Sequence, residues 1–166
     1  MDTGIIIVGI ILIALSILPF VLAQRNRRKR ERKLFQSLSN IATKQNCEIT
    51  QYECSDDYII GIDETSNFLF FFKQIKDTKV SQFLNLSEIQ HCKTINISRT
   101  NGSIKKIDKL ELSLLSSSNS KANIILELYN SEERMQLGDD LQLVERWEKK
   151  INELLKHNHQ RINQTV

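Results

Sequence analysis

The chain has 166 residues, with 23 Lys and Arg against 20 Asp and Glu, one Pro, five Gly and three Cys. So little Pro and Gly beside a 40% hydrophobic fraction excludes a disordered or collagen-like chain and allows one globular domain of ordinary size. The formal charge of +3 is unevenly spread: with the seven cations Arg25, Arg27, Arg28, Lys29, Arg30, Arg32 and Lys33, Asp2 and Glu31 set aside, 16 Lys and Arg face 18 Asp and Glu from Leu34 onward. That part is slightly acidic and has no aromatics clustered beside cations, so the usual footprint of nucleic-acid binding is missing.

The run Ile5–Ala23 (IIIVGIILIALSILPFVLA) carries no charge, and Ser16 is its one hydroxyl. With Gly4 it makes 20 residues, which as a helix spans roughly 30 Å, the hydrocarbon thickness of a bilayer. Residues 1–23 are therefore expected to be a transmembrane helix with a short N-terminal tail, and Pro19 near its end is tolerable there. Val21-Leu22-Ala23 would suit a signal peptidase. A secretory signal, however, has its cations before the apolar run, and here Met1 to Gly4 hold only Asp2 while all seven cations follow. The positive-inside rule then puts the N-terminus outside and everything after Ala23 in the cytoplasm. The abundance of Ile, Asn, Lys and Ser points to an AT-rich bacterial genome and hence the inner membrane. Near the surface the same cations could hold anionic lipid headgroups at ~1 kcal/mol each.

Residues 24–46 read as this basic juxtamembrane segment followed by an amphipathic stalk. Leu34, Phe35, Leu38, Ile41 and Ala42 recur at helical spacing to about Gln45. The stripe must cover something: the β domain, the bilayer surface, or the same stripe of another copy. From residue 47 the apolar period shortens towards two. Strands are expected at Glu48–Cys54, Tyr58–Asp63, Phe68–Gln74, Ser81–Asn85, Gln90–Arg99, Lys109–Leu115 and Asn123–Tyr129, with a short piece at Arg134–Leu137. Asp63–Asn67 reads as a hairpin loop and Thr100-Asn101-Gly102-Ser103 as a turn. Phe68–Phe72 (FLFFF) is the most apolar strand, marked as central and buried on both faces.

A last helix begins near Asp139, a capping residue with Gln142 in the reciprocal position of a capping box. Leu141, Val144, Trp147, Ile151, Leu154 and Leu155 give it one apolar face for packing on the sheet, with Trp147 as the anchor. The domain is expected to span 47–157, and 158–166 to be a polar tail.

Seven strands and one capping helix, together with the texts Tyr58-Ile-Ile-Gly-Ile-Asp63, FLFFF and Phe83-Leu-Asn-Leu-Ser-Glu-Ile-Gln-His-Cys-Lys93, resemble bacterial pleckstrin-homology-like domains over roughly Cys47 to His157. The resemblance implies an α+β fold in which a mainly antiparallel, partly open barrel is capped by the C-terminal helix. It also implies a docking role towards lipids, peptides or proteins. The lipid-binding members carry cations in the loop after the first strand; here that loop is Cys54-Ser-Asp-Asp57, so phosphoinositide recognition there is disfavoured. Lys73, Lys76 and Lys79 bracket a later loop and could face a membrane, though Asp77 dilutes them.

Catalytic machinery is not legible. No nucleophile sits beside a base, no Gly-rich phosphate cradle occurs, and Asp56-Asp57 and Asp139-Asp140 suit turn and capping duties. Cys47, Cys54 and Cys92 show no CxxC spacing, and His91 and Cys92, adjacent on a strand, should point to opposite faces, which spoils the one candidate metal cluster. The thiols are expected to be reduced and structural, and no cofactor is implied. The reading is a single-pass, non-catalytic adaptor that docks a protein partner near the membrane surface. Its alternative is an accessory subunit or homo-oligomer assembled through the membrane and stalk helix, where Gly4, Gly9 and Ala14 supply small residues.

Overall fold

The computed structural model describes residues 3–101, 104–117 and 123–163 of the 166. The apolar run, the basic segment and the stalk form one helix, α1 (Thr3–Lys44), about 63 Å long at ~1.5 Å per residue. Ser16 donates its hydroxyl to the Leu12 carbonyl at 2.8 Å, so the run's polar group is satisfied within the helix. Side chains of the described apolar residues from Ile7 to Leu22 stand open, Leu15 at 62% and Val21 at 43% exposed. Among the described residues, no helix is long and apolar enough to cross a membrane. Of the expected span, Ile5, Ile6, Gly9, Ile10 and Phe20 lie outside the described side chains, as does Gly4 of the small-residue series.

Asn46, at φ 54°, turns the chain out of α1. Among the described residues seven strands follow: β1 (Gln51–Cys54), β2 (Tyr58–Asp63), β3 (Phe68–Ile75), β4 (Thr78–Asn85), β5 (Ile89–Asn101), β6 (Ile104–Ser116) and β7 (Asn123–Asn130); α2 (Asp140–Asn163) ends the described chain. They form two antiparallel meanders, ordered β1-β2-β3-β4 and β5-β6-β7. The fold is thus α+β with two sheets and a C-terminal helix. The expected partly open barrel is corrected to two separate sheets, because among the described residues no ladder joins them.

Several boundaries also move. Glu48–Thr50 precede β1, since that stretch is spent leaving the helix, although Thr50 N still bonds the Ile62 carbonyl at 2.9 Å. The β5–β6 hairpin runs further than expected in both strands, into solvent where no apolar alternation advertises it; Arg99 and Asp108 pair across it at 2.5 Å. Gly102 and Ser103 of the expected turn lie outside the described residues. Arg134–Leu137 is no strand, because Arg134 N turns back to the Asn130 carbonyl at 3.0 Å. The polar tail expected from residue 158 is helical to Asn163, and Asn158 donates to the Asn67 side chain at 3.1 Å, which ties the helix to the β2–β3 loop. That loop is itself an Asx turn: Asp63, buried, accepts from the N–H groups of Thr65 and Ser66, both at 2.9 Å, and Glu48 at 3.0 Å. Burial would raise the Asp63 pKa, but these donors hold it below the usual carboxylate range.

Two apolar cores share the first sheet. Strand residues alternate faces, so Tyr58, Ile60, Ile62, Leu69 and Phe71 point towards the second sheet and α2, where Leu112, Leu114, Leu126, Leu128 and Trp147 meet them. Ile59, Phe70 and Phe72 point the other way, against Leu34, Leu38 and Ala42 of α1. FLFFF is therefore buried on both faces, by different partners. Of the three covers open to the stalk's stripe, the β domain is the one it takes. Each fully buried side chain of this kind is worth roughly 1.5–3 kcal/mol.

The close approach runs through Gly61 on β2. A Cβ there would stand 2.7 Å from Leu38 Cδ2, 3.1 Å from Ile49 Cγ2 and 3.2 Å from the Gln51 carbonyl. Gly61→Ala is expected to lower the urea midpoint of unfolding, by the ~1–3 kcal/mol of overpacking. Leu38→Ala alone should cost about 2–5 kcal/mol as a cavity. The double variant should lose less than the sum, because the new methyl enters the space Leu38 vacates; strict additivity would mean the helix does not lie on Gly61.

Candidate functional site

At one end of the domain the β1–β2 loop, the β7–α2 loop and the start of α2 meet on a buried ionic cluster. Asp140, the first residue of α2, is fully buried and accepts from Ser55 Oγ at 2.7 Å, Tyr58 OH at 3.1 Å, Gly138 N at 3.1 Å and Arg134 Nη2 at 2.5 Å. Arg134 also stands 3.6 Å from Asp57 and 3.7 Å from Asp56, donates to Ser55 Oγ at 3.3 Å, and lies over the Tyr129 ring at 5.4 Å. Burial pulls the Arg134 pKa down, but Asp140 and Asp57 more than reverse it, so the guanidinium is firmly charged. Burial pushes Asp57 the other way, above its ordinary 3.8, against the pull of Arg134. Asp57 Oδ1 and Arg134 Nε are buried without a hydrogen-bond partner. Burial and the neighbouring Asp140 raise the Tyr58 phenol, which stays a donor.

Chemically this cluster is a clamp. Ser55 gives its proton to a carboxylate that also holds Arg134. The vicinal acids reach past turn and cap duty: Asp57 and Asp140 are the anionic walls of the Arg134 site, and Asp139 helps start α2 through its carbonyl, which accepts from Leu143 N at 2.9 Å. Nothing in the sequence marks Arg134, because its partners come from residues 55–58 and 140.

Lys73 belongs to a second such group. The sequence groups it with Lys76 and Lys79 as a cation bracketing a loop, yet it is 5% exposed and pairs with Glu127 at 3.0 Å and Glu133 at 2.8 Å. Its position on the inner face of β3, beside Phe71, draws it inward to meet acids of β7 and the following loop. Glu127 also takes Lys109 at 3.2 Å; burial would raise its pKa, but the two lysines hold it low. Lys76 and Lys79 are exposed.

The seven cations Arg25, Arg27, Arg28, Lys29, Arg30, Arg32 and Lys33 are all exposed on α1. They do not share one face. At about 100° per residue from the docked Leu38, Arg27 falls on the side of α1 that docks, Arg28 and Arg30 flank it to either side, and Arg25, Lys29, Arg32 and Lys33 fall towards the far side. Arg27 and Arg30 line a cleft of about 380 Å³ with Tyr52, Glu53 and Asp56, and Arg30 and Lys33 line one of about 520 Å³ with Asp57 and Arg134. The acidic β1–β2 loop thus faces part of the basic segment across a gap.

On α2, Val144, Trp147, Ile151 and Leu155 are buried in the main core and Leu154 is packed partly against it. Leu141 is only half-buried, and Leu143 takes the core position instead. The stripe is centred near Trp147 and Ile151, which leaves Leu141 about 100° off its axis. Lys150 lies over the Trp147 ring at 5.3 Å, and Trp147 Nε1 is buried without a partner. Polar residues of α2, unmarked in the sequence, close a strand edge: Asn152 accepts from Cys92 N at 3.0 Å and donates to its carbonyl at 2.7 Å, while Glu148 accepts from Thr94 N at 3.1 Å.

No family model, curated protein or solved structure matches the chain. Its own chemistry is what remains. Cys47, Cys54 and Cys92 are free; burial pushes Cys54 and Cys92 up to about 12, so both are neutral thiols. Cys92 is buried and His91 exposed on opposite faces of β5. His157 is exposed and His159 lies outside the described side chains. Among the described residues no group of three or more His, Cys, Asp or Glu is placed to hold a metal ion.

Two outcomes follow for the clamp. Arg134→Met leaves Asp140 buried without its cation and is expected to cost about 3–5 kcal/mol in urea unfolding. Asp57→Asn should act oppositely. Because the folded-state pKa of Asp57 is raised above 3.8, the folded protein holds the extra proton, and its stability falls as pH rises from 3.8 through the raised value. The amide removes that loss. Its midpoint should exceed the parent's at neutral pH and match it well below 3.8; a difference independent of pH would rule this out.

Proposed function

We propose that the chain is a membrane-anchored, non-catalytic docking module: α1 crosses a bacterial inner membrane over residues 5–23, and a pleckstrin-homology-like domain, held on the cytoplasmic side, binds a protein partner. The observation that carries this reading is the change of character along one helix. From Ile7 to Leu22 its apolar side chains stand open, 43–62% exposed among the described large ones, while Leu34, Leu38 and Ala42 of the same helix are buried. An uncovered apolar surface of that extent asks for a covering phase, and the uncharged run with seven cations behind it suits a bilayer.

On this reading the basic segment divides its work. Arg25, Lys29 and Arg32 are free to meet anionic headgroups, while Arg27 and Arg30 balance the acidic β1–β2 loop. A phosphoinositide site at that loop is disfavoured, since Asp56 and Asp57 would repel it.

The full chain is expected to stay in the membrane pellet through an alkaline carbonate wash, and Ile11→Lys with Leu15→Lys, at about 2.5–3.5 kcal/mol per buried charge, should release it. Affinity capture of the tagged chain from a detergent extract should bring down a specific partner. A chain that washes off, or that is recovered alone, counts against the anchor and the docking role respectively.

A further inference from the structure

The two sheets end in four edge strands, and the edges are treated differently. The β5 edge is closed by Asn152 and Glu148, as above. The β1 edge is crossed by side chains from α2: Arg146 pairs with Glu53 at 2.7 Å and Lys150 donates to the Gln51 side chain. Among the described residues β4 and β7 each pair on one side only. They face one another across a groove of about 120 Å³, with Phe71 as floor, Val80 and Gln82 of β4 on one wall, Ile125 of β7 on the other, and Glu127 and Glu133 at one end. Val80 is 39% and Ile125 46% exposed.

We propose that this groove is a strand-addition site. An extended segment of a protein partner pairs with the free edge of β4, drops an aliphatic side chain between Val80 and Ile125 onto Phe71, and sets a Lys or Arg against Glu133. The inference rests on the docking reading above and names its face and the chemistry of its partner.

Three observations select that occupant. An open strand edge presents a row of backbone donors and acceptors that an extended chain can pair in register. The cavity is far smaller than the ~300–1,000 Å³ of small-molecule sites, so it suits a side chain rather than a cofactor, and the period of two along a strand delivers one apolar group inward beside solvated neighbours. The end of the groove is also short of cations. Glu127 and Glu133 share Lys73, Lys109 is taken by Glu127, and Glu132 stands close enough to raise the Lys109 pKa after Glu127 and Glu111 have done so. Glu133 thus shares its one ion-paired lysine with Glu127. Lys76 lines the neighbouring cleft beside Arg30, not this groove.

The test uses the full chain in detergent micelles, panned against a displayed library of short random peptides. Enriched peptides are expected to alternate aliphatic and polar residues and to carry a Lys or Arg at one end; changing that cation to Glu should weaken binding. Val80→Lys and Ile125→Lys should each weaken it by about tenfold or more, and β4 amides should be protected from hydrogen exchange in the complex. Ile97→Lys, an equally exposed apolar position on β5, should leave binding unchanged. Peptides insensitive to both groove substitutions, or protection confined to other strands, would overturn the site and leave the docking reading standing. Crosslinks between β4 strands of two chains would make a second copy the occupant and overturn it as well. Failure to enrich any peptide while a partner is still captured from detergent extract rules out strand addition alone, and failure of both assays removes the docking reading too.

Discussion

The packing of α1 onto the outer face of β2 and β3 is the constraint on which the rest depends. An antiparallel sheet ordinarily needs only one face covered, yet here Ile59, Phe70 and Phe72 would be left in water without the helix. Gly61 makes the contact possible, because a backbone without a Cβ lets Leu38 settle against the sheet. The helix is therefore a layer of the fold, not a tether. Sheet, sheet and α2 enclose the main core, and α1 adds a second core on the far side of β3.

That layering ties the position of the domain to the direction of α1. The docked residues Leu34, Leu38 and Ala42 begin eleven residues beyond Ala23 on the same continuous helix, roughly 16 Å along its axis. The β1–β2 loop and the Arg134 clamp lie at the end of the domain beside Arg27, Arg30 and Lys33. In an anchored chain this end would look towards the bilayer with an acidic rim, and a rigid helix would keep it at a set height.

The two ionic groups act as fasteners between distant parts of the chain. Arg134 joins residues 55–58 to the start of α2, and Lys73 joins β3 to β7 and its following loop. Each is buried enough that breaking it would strand a charge, which favours a single arrangement of the loops over several. On the opposite side α2 seals the β5 edge with side chains, which leaves the β4–β7 side as the open one.

How much of this was legible depends on the range of the interaction. The helical stripe of the stalk, the centre of β2 and β3 and the apolar face of α2 are local patterns of period, and the strand Tyr58–Asp63 can be read directly. The double burial of Phe68–Phe72 was likewise legible as five apolar residues in succession. What covers each face was not, because the stalk's docking on the β domain, and not on the bilayer or another copy, is decided by shape at Gly61 and Leu38. The Arg134 and Lys73 clusters were hidden for the same reason: apart from Asp140, six residues from Arg134, the hydrogen-bond partners of these two cations lie 54 to 79 residues away in the chain. Periodicity records which side chains avoid water; only the tertiary structure decides which charges and which edges are brought together, since those pairings cost desolvation that distant partners must repay at once.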